Sequence, residues 1–243
     1  MQRLLDNARA FKRRISAESD KYRRLAEGQW PEVLFITCSD SRVLPSHITR
    51  AGPGELFELR TAGHIVPPYE RRLISSEAAT ISYALDVLSV GDIVVCGHSH
   101  CGAVDALVRG ADLSGLPEVG GWLELARPAL APVIEGPPGD PALAEAVRRH
   151  VTAQLASLYG YPLVRDRVAA GELRLHGWFY RIDTGEVEEL AADGAFRAPL
   201  PPRRPLGEPY RSPLSGDPLE GPPHGGPRQG AHGGPQPGPL SGS

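Results

Sequence analysis

Two segments sixty residues apart carry side chains that could do chemistry together: Cys38-Ser39-Asp40-Ser41-Arg42 and His98-Ser99-His100-Cys101-Gly102. Each follows a short apolar run, Val33 to Thr37 before the first and Asp92 to Cys96 before the second. Cys38 and His98 therefore fall at the ends of two expected strands, with Cys101 three residues beyond His98. Two thiolates and one imidazole on a zinc ion leave its fourth position open, the pattern of a catalytic site and not of a structural clip. Asp40 and Arg42 add a carboxylate and a guanidinium beside that opening. An arginine can clamp a carboxylate through two parallel hydrogen bonds, holding it ionised and aimed. An aspartate so held can accept a hydrogen bond from a metal-bound water. A surface ion pair in a turn fits the same spacing.

Taken alone, Cys38 also reads as a small buried hydrophobe at a strand end. The His-x-x-Cys pair moves the reading toward a metal, because it brings two ligand types together where a strand meets a helix. Cys96 lies inside the strand and is expected in the core. His98 and His100 are both available as the imidazole ligand, and spacing does not choose between them. The one left over could assist proton transfer, since imidazole titrates near neutral pH. Cys38-x-x-x-Arg42 has only three residues between its ends, fewer than the phosphate loop of cysteine phosphatases. No Gly-x-Gly-x-x-Gly or Walker-type loop is present, so nucleotide binding has no support.

The elements that must carry these residues follow from pattern. Residues 2–26 read as an amphipathic helix with Leu4, Leu5, Ala8, Phe11, Ile15, Tyr22 and Leu25 on one face, interrupted near Ser16 to Asp20. Pro31 precedes a buried strand at Val33 to Ile36. Pro45 to Arg50 reads as a short helical turn and Glu55 to Arg60 as a second strand. A helix is expected from Ser75 to Val90, capped by Ser75 or Ser76 and stopped by Gly91. Strand 92–96 and a helix over 102–109 come next. Helices are expected near 119–131, 141–159 and 162–170, then a strand from Glu172 to Ile182 and a turn at Asp183-Thr184-Gly185 leading into Glu186 to Leu190. Alternating strands and helices predict an α/β fold, with a mainly parallel central sheet flanked by helices. Ligands of such sheets collect at the carboxyl ends of the strands, where Cys38 and His98 both fall.

Composition sets the limits. The 243 residues are 41% hydrophobic with a net charge of −3, which gives no electrostatic grip on nucleic acid. From Ala198 onward about half of the residues are Pro or Gly, a disordered-tail composition. The expected organisation is therefore a zinc domain over 1–197 and a Pro/Gly-rich tail over 198–243, whose proline-rich stretches could serve as a partner ligand. The start of the chain lacks the apolar core of a secretory signal, and no run is long enough to span a bilayer. Three cysteines do not make a disulfide framework. A reducing cytoplasm fits best.

The segments Cys38-Ser39-Asp40-Ser41-Arg42-Val43 and Gly97-His98-Ser99-His100-Cys101-Gly102 resemble the two signature motifs of the β-class carbonic anhydrases. The resemblance runs over most of residues 1–190. It includes Gly28-Gln29 with Pro31, Pro45-Ser46-His47, the helix around Tyr83 and Leu175-His176-Gly177-Trp178. It implies one zinc per subunit, held by Cys38, His98 and Cys101, with Asp40 and Arg42 as the catalytic dyad. Gln29, Phe57, Tyr83 and Gly102 are implied in substrate binding, and His100 or His64 in proton transfer. The plant-like, open-site branch is implied: the bicarbonate-regulated branch has Trp three residues before the first cysteine ligand, where this chain has Phe35. The usual Arg-Asn-x-x-Asn after the second strand is here Arg60-Thr61-Ala62-Gly63-His64, which alters the polar lining near the site.

The implied reaction is the reversible hydration of carbon dioxide to bicarbonate and a proton, with zinc hydroxide as nucleophile. In an unrelated carbonic anhydrase, three histidines on zinc bring the bound water to a pKa of about 7. Two thiolates donate more charge, so a higher value and an activity rising into the alkaline range are expected here. Two alternatives keep the metal: hydrolysis of carbon disulfide or carbonyl sulfide on the same site, or a non-enzymatic bicarbonate-sensing module. The resemblance also implies a homodimer or tetramer, with the N-terminal helix embracing a partner and the cleft at their interface.

Overall fold

The computed structural model describes residues 1–72, 74–127 and 141–199. Four strands form its centre: β1 (Val33–Cys38), β2 (Leu56–Thr61), β3 (Asp92–His98) and β4 (Arg174–Tyr180). All four run parallel in the order β2-β1-β3-β4. Two antiparallel strands, β5 (Val187–Leu190) and β6 (Phe196–Arg197), extend the β4 edge. β1 and β3 are buried on both faces, which is why their sequences are unbroken apolar runs and not alternating ones. The α/β fold with a mainly parallel sheet is as expected.

Around the sheet lie α1 (Gln2–Ile15), α2 (Ser19–Leu25), α3 (Pro45–Thr49), α4 (Ser76–Ser82), α5 (Gly102–Val108), α6 (Pro117–Glu124), α7 (Pro141–Tyr159) and α8 (Pro162–Ala169). The main core joins Leu34, Ile36, Ile93 and Val95 of the sheet to Ile81 of α4, Val151 and Leu158 of α7, and Val164 of α8. A second cluster packs Cys38, Cys101 and Val104 against Leu143, Ala146 and Val147 of α7, directly behind the chemistry-bearing residues. The long helix comes this close because β3 and β4 present Gly97 and Gly177 to it. A Cβ on Gly97 would stand 2.7 Å from both Val147 Cγ1 and Val151 Cγ2.

The N-terminal helix breaks where Ser16 to Asp20 suggested, at a 3-10 turn over Ser16–Glu18. Neither α1 nor α2 buries a residue in the chain; Leu4, Leu5 and Phe11 are exposed. Ser75 caps α4 by accepting the Ala78 N–H at 3.1 Å. The exit differs from expectation. After Ser82 the helix widens into a π turn over Tyr83–Val87, and the left-handed residue that ends it is Ser89 (φ 55°), not Gly91. Gly91 instead donates its N–H to Glu32 at 3.1 Å, setting the start of β3 beside the start of β1. Residues 200–243, nearly all of the expected tail, lie outside the described residues.

Candidate metal centre

Cys38 is the last residue of β1 and His98 the last of β3. Because these neighbours are parallel, with Thr37 opposite Cys96, both side chains leave the same edge of the sheet. The chain then turns through His100 in the left-handed conformation (φ 58°), and Cys101 becomes the cap residue of α5. That turn brings the ligand atoms of Cys38, His98 and Cys101 within 4.8 Å of one another, all three buried.

The protonation pattern suits a thiophilic cation. His98 Nδ1 lies 2.9 Å from the Ser99 carbonyl, an acceptor, so this nitrogen carries the proton. The Nε2 lone pair is then left buried with no hydrogen-bond partner, 4.0 Å from Asp40 Oδ2. The two thiols share a proton. The hydrogen bond from Cys101 drives the pKa of Cys38 far below that of a free thiol, while the pKa of Cys101 is pushed up by Cys38 and by burial. Two sulfurs and one orphaned imidazole nitrogen form a donor set that fits zinc.

Asp40 is held firmly. It accepts Arg42 Nε at 2.9 Å, Arg42 Nη2 at 2.6 Å and the Arg42 backbone N–H at 2.9 Å. This bonding lowers its carboxyl from the ordinary 3.8 to about 2, with Arg42 the leading cause. Arg42 Nη2 also donates to the His100 carbonyl at 3.1 Å, tying the two motifs together. Arg60 of β2 was not foreseen in any role. Its guanidinium donates to the carbonyls of Cys38, Asp40 and Val43 at 2.7–3.2 Å, so it folds the whole dyad loop around itself. A strand-end arginine beside a loop of exposed carbonyls was the available signal.

The two additional histidines diverge. His100 is exposed at the rim of the centre. His64 is completely buried, and neither ring nitrogen makes a hydrogen bond. Its ring packs edge-on against His150 behind the centre, away from the surface. Cys96 is fully buried in β3, its thiol pushed up to about 12 by desolvation. Gly102, the first residue of α5, is exposed beside Cys101.

Gln29, Phe57 and Tyr83 are not at this centre. In the parallel register Phe57 stands opposite Leu34, while Cys38 stands opposite Thr61. Four residues of strand separate the two levels, about 13 Å. Tyr83 stacks on Phe57 with ring centroids 5.9 Å apart, and Gln29 precedes β1 at that same amino-terminal end. Gln29 and Tyr83 are exposed. Within one chain the Phe57–Tyr83 pair therefore lies apart from Cys38.

Residues 33–187 match the family model described as carbonic anhydrase. The chain is 44% identical over 200 residues to a carbonic anhydrase of Pseudomonas aeruginosa, covering 81% of this chain and 90% of that one. It is 41% identical over 199 residues to a carbonic anhydrase of Synechocystis, covering 80% of this chain and 72% of that one. The structure of the β-carbonic anhydrase CcaA superposes with a TM-score of 0.76 at 39% identity, covering 82% of this chain and 99% of that one. One of two tetrameric β-carbonic anhydrases from Sordaria macrospora gives a TM-score of 0.67 at 28% identity, covering 81% and 98%. The chain belongs to the β class of the carbonic anhydrases. It is an enzyme of carbon dioxide hydration with a Cys-His-Cys metal-binding group.

Proposed function

We propose that the enzyme hydrates carbon dioxide on one zinc ion per subunit, held by Cys38, His98 and Cys101. The observation that carries this reading is the orphaned Nε2 of His98, turned toward two sulfurs and lying 4.0 Å from Asp40. Zinc bound there supplies a Lewis acid that acidifies water and so provides hydroxide near neutral pH. Asp40, kept ionised by Arg42, accepts a hydrogen bond from the attacking oxygen and fixes its direction. An anionic carboxylate so clamped can accept but not donate, so it selects one orientation of the nucleophile. Gly102 lines the opening beside Cys101. His100 at the rim takes the released proton to buffer. The Asp40–Arg42 pairing supports the open-site branch.

The apolar substrate wall comes from a partner. Carbon dioxide carries no net charge, so it is gathered by apolar surface, and Phe57 with Tyr83 offers that surface about 13 Å from Cys38 along the sheet. A two-fold dimer that lays the amino-terminal end of one sheet against the carboxyl end of the other brings the two together. Gln29 of the partner subunit then donates a hydrogen bond to a substrate oxygen. The uncovered apolar side chains of α1 supply a surface for that embrace, and two dimers would complete a tetramer. Residues 1–197 are the catalytic domain in this reading and 198–243 an extension outside it. The three unpaired cysteines suit the reducing cytoplasm. Among the described residues no helix is long and apolar enough to cross a membrane.

Stopped-flow hydration with metal analysis tests the proposal. Cys38→Ser loses zinc and activity together. Asp40→Asn keeps zinc and loses about 100-fold or more in turnover, the range for a positioned proton acceptor. Near-wild-type turnover in either variant would sink the assignment. Sulfide release from carbonyl sulfide, assayed in parallel, identifies the competing hydrolase if it exceeds carbon dioxide hydration.

A further inference from the structure

The segment between β2 and α4 passes behind the metal centre in an unusual conformation. Gly63 (φ 71°) and His64 (φ 47°) are successive left-handed residues. For a residue with a side chain that conformation is strained, so something must hold it. Four bonds do. Thr61 Oγ1 donates to the Ile65 carbonyl at 3.0 Å, and Trp122 Nε1 donates to the Ala62 carbonyl at 2.8 Å. The other two come from α7, eighty-seven or more residues away, where His150 Nε2 reaches the Gly63 carbonyl at 2.9 Å and Gln154 Oε1 accepts the Val66 N–H at 2.8 Å.

These α7 contacts fix their own hydrogen positions. Gln154 must present its oxygen to the Val66 N–H, so its amide nitrogen faces His150 Nδ1 at 3.3 Å and donates. His150 Nδ1 is therefore the acceptor, and Nε2 carries the proton that goes to the Gly63 carbonyl. Burial, reinforced by the adjacent His64, takes the His150 imidazole down to about 3, so it stays neutral. At the far end of this chain the Gly63 N–H donates to Cys38 Sγ at 3.4 Å. The His64 ring lies edge-on to His150, centroids 4.6 Å apart, and interacts with the same sulfur.

We infer that His150 and Gln154 are positioning residues of the metal centre, acting through the Gly63 peptide to keep an N–H donor on the Cys38 sulfur. This rests on the proposed zinc site. An N–H donor disperses the charge of the sulfur and so tunes what it gives a metal. His150 and Gln154 touch neither substrate nor metal ligand, so their effect is indirect.

The test uses the full chain loaded with zinc or cobalt. Zinc affinity is read by chelator competition at neutral pH, and the sulfur-to-cobalt charge-transfer band by absorption. His150→Phe keeps the ring and removes the donor; Gln154→Leu removes both amide contacts. Each is expected to weaken zinc binding about 10- to 100-fold, the usual size for partners of metal ligands, and to move the charge-transfer band to lower energy. His150→Gln, with an amide nitrogen at the same reach, is expected to restore both. A purely structural role would lower the melting temperature and leave the band in place. If His150→Phe does not fold, Gln154→Leu and His150→Gln decide the matter. Folded variants with zinc affinity within about threefold of wild type and an unmoved band would overturn the inference alone. A wild-type chain that bound no zinc would overturn the proposed site as well.

Discussion

At the scale of single residues, the site depends on which groups are charged and which are held. Asp40 shows both. Its carboxyl titrates at about 2 in the folded chain against an ordinary 3.8, chiefly because of Arg42. A folded-state value below the unfolded one means that the pair stabilises the protein fully above pH 4, and that this contribution fades as pH falls toward 2. Asp40 is therefore ionised throughout any neutral or alkaline assay, and no activity limb in that range belongs to it. Arg42→Leu removes the three hydrogen bonds from the guanidinium to Asp40 and the His100 carbonyl and keeps the backbone N–H donor to Asp40. Carbon-13 NMR of the Asp40 carboxyl in this variant should record a pKa back near 4, with hydration slowed about 100-fold because the acceptor has lost its aim. A carboxyl still titrating near 2 would mean that the loop, and not Arg42, sets its charge.

At the scale of elements, the sheet and α7 place the centre by close approach. Gly97 lies one residue before His98, and α7 crosses it so closely that a Cβ would meet two valines at 2.7 Å and His64 Nε2 at 3.1 Å. Gly97→Ala should destabilise the fold by about 1–3 kcal/mol, the cost of overpacking a close-packed core. Urea unfolding measures that loss, and zinc content should fall with it as α7 is pushed from the His64–Gly63 corner. A stability within about 0.5 kcal/mol of wild type, the level of an ordinary surface change, would mean that α7 yields freely there. The sequence made the strands plain, because apolar runs such as Val33–Ile36 have one way to be buried. It also placed Cys38, His98 and Cys101 at one sheet edge, since parallel neighbours share their carboxyl ends. The His150–Gly63 contact could not be read there, because it joins residues eighty-seven apart through a backbone carbonyl that has no residue-type signal. Nor could the separation of Phe57 from Cys38, which depends on β1–β2 register and not on either strand alone.

At the scale of the whole molecule, each subunit in the proposed reading has two half-sites, the metal ligands at one end of its sheet and the Phe57–Tyr83 pair toward the other. The proposed two-fold pairing would convert two such halves into two complete centres, each with its ligands and Asp40 from one subunit and its apolar wall from the other. This has a consequence that separates it from any pocket built within one chain. Asp40→Asn removes the anionic hydrogen-bond acceptor from its own centre. The double variant Phe57→Ala, Tyr83→Ala removes the wall from its partner's centre. Each protein alone should be nearly inactive, yet a mixed dimer holds one centre in which the intact Asp40 of the second variant faces the intact wall of the first. Unfolded together and refolded at equal concentrations, the two should form about half mixed dimers and recover about one quarter of wild-type activity. Light scattering on the same samples reports the assembly. If dimers form and mix while activity stays at the level of the separate variants, the wall acts within its own chain. The β1–β2 register would then have to change before the wall could reach the metal ligands of its own chain.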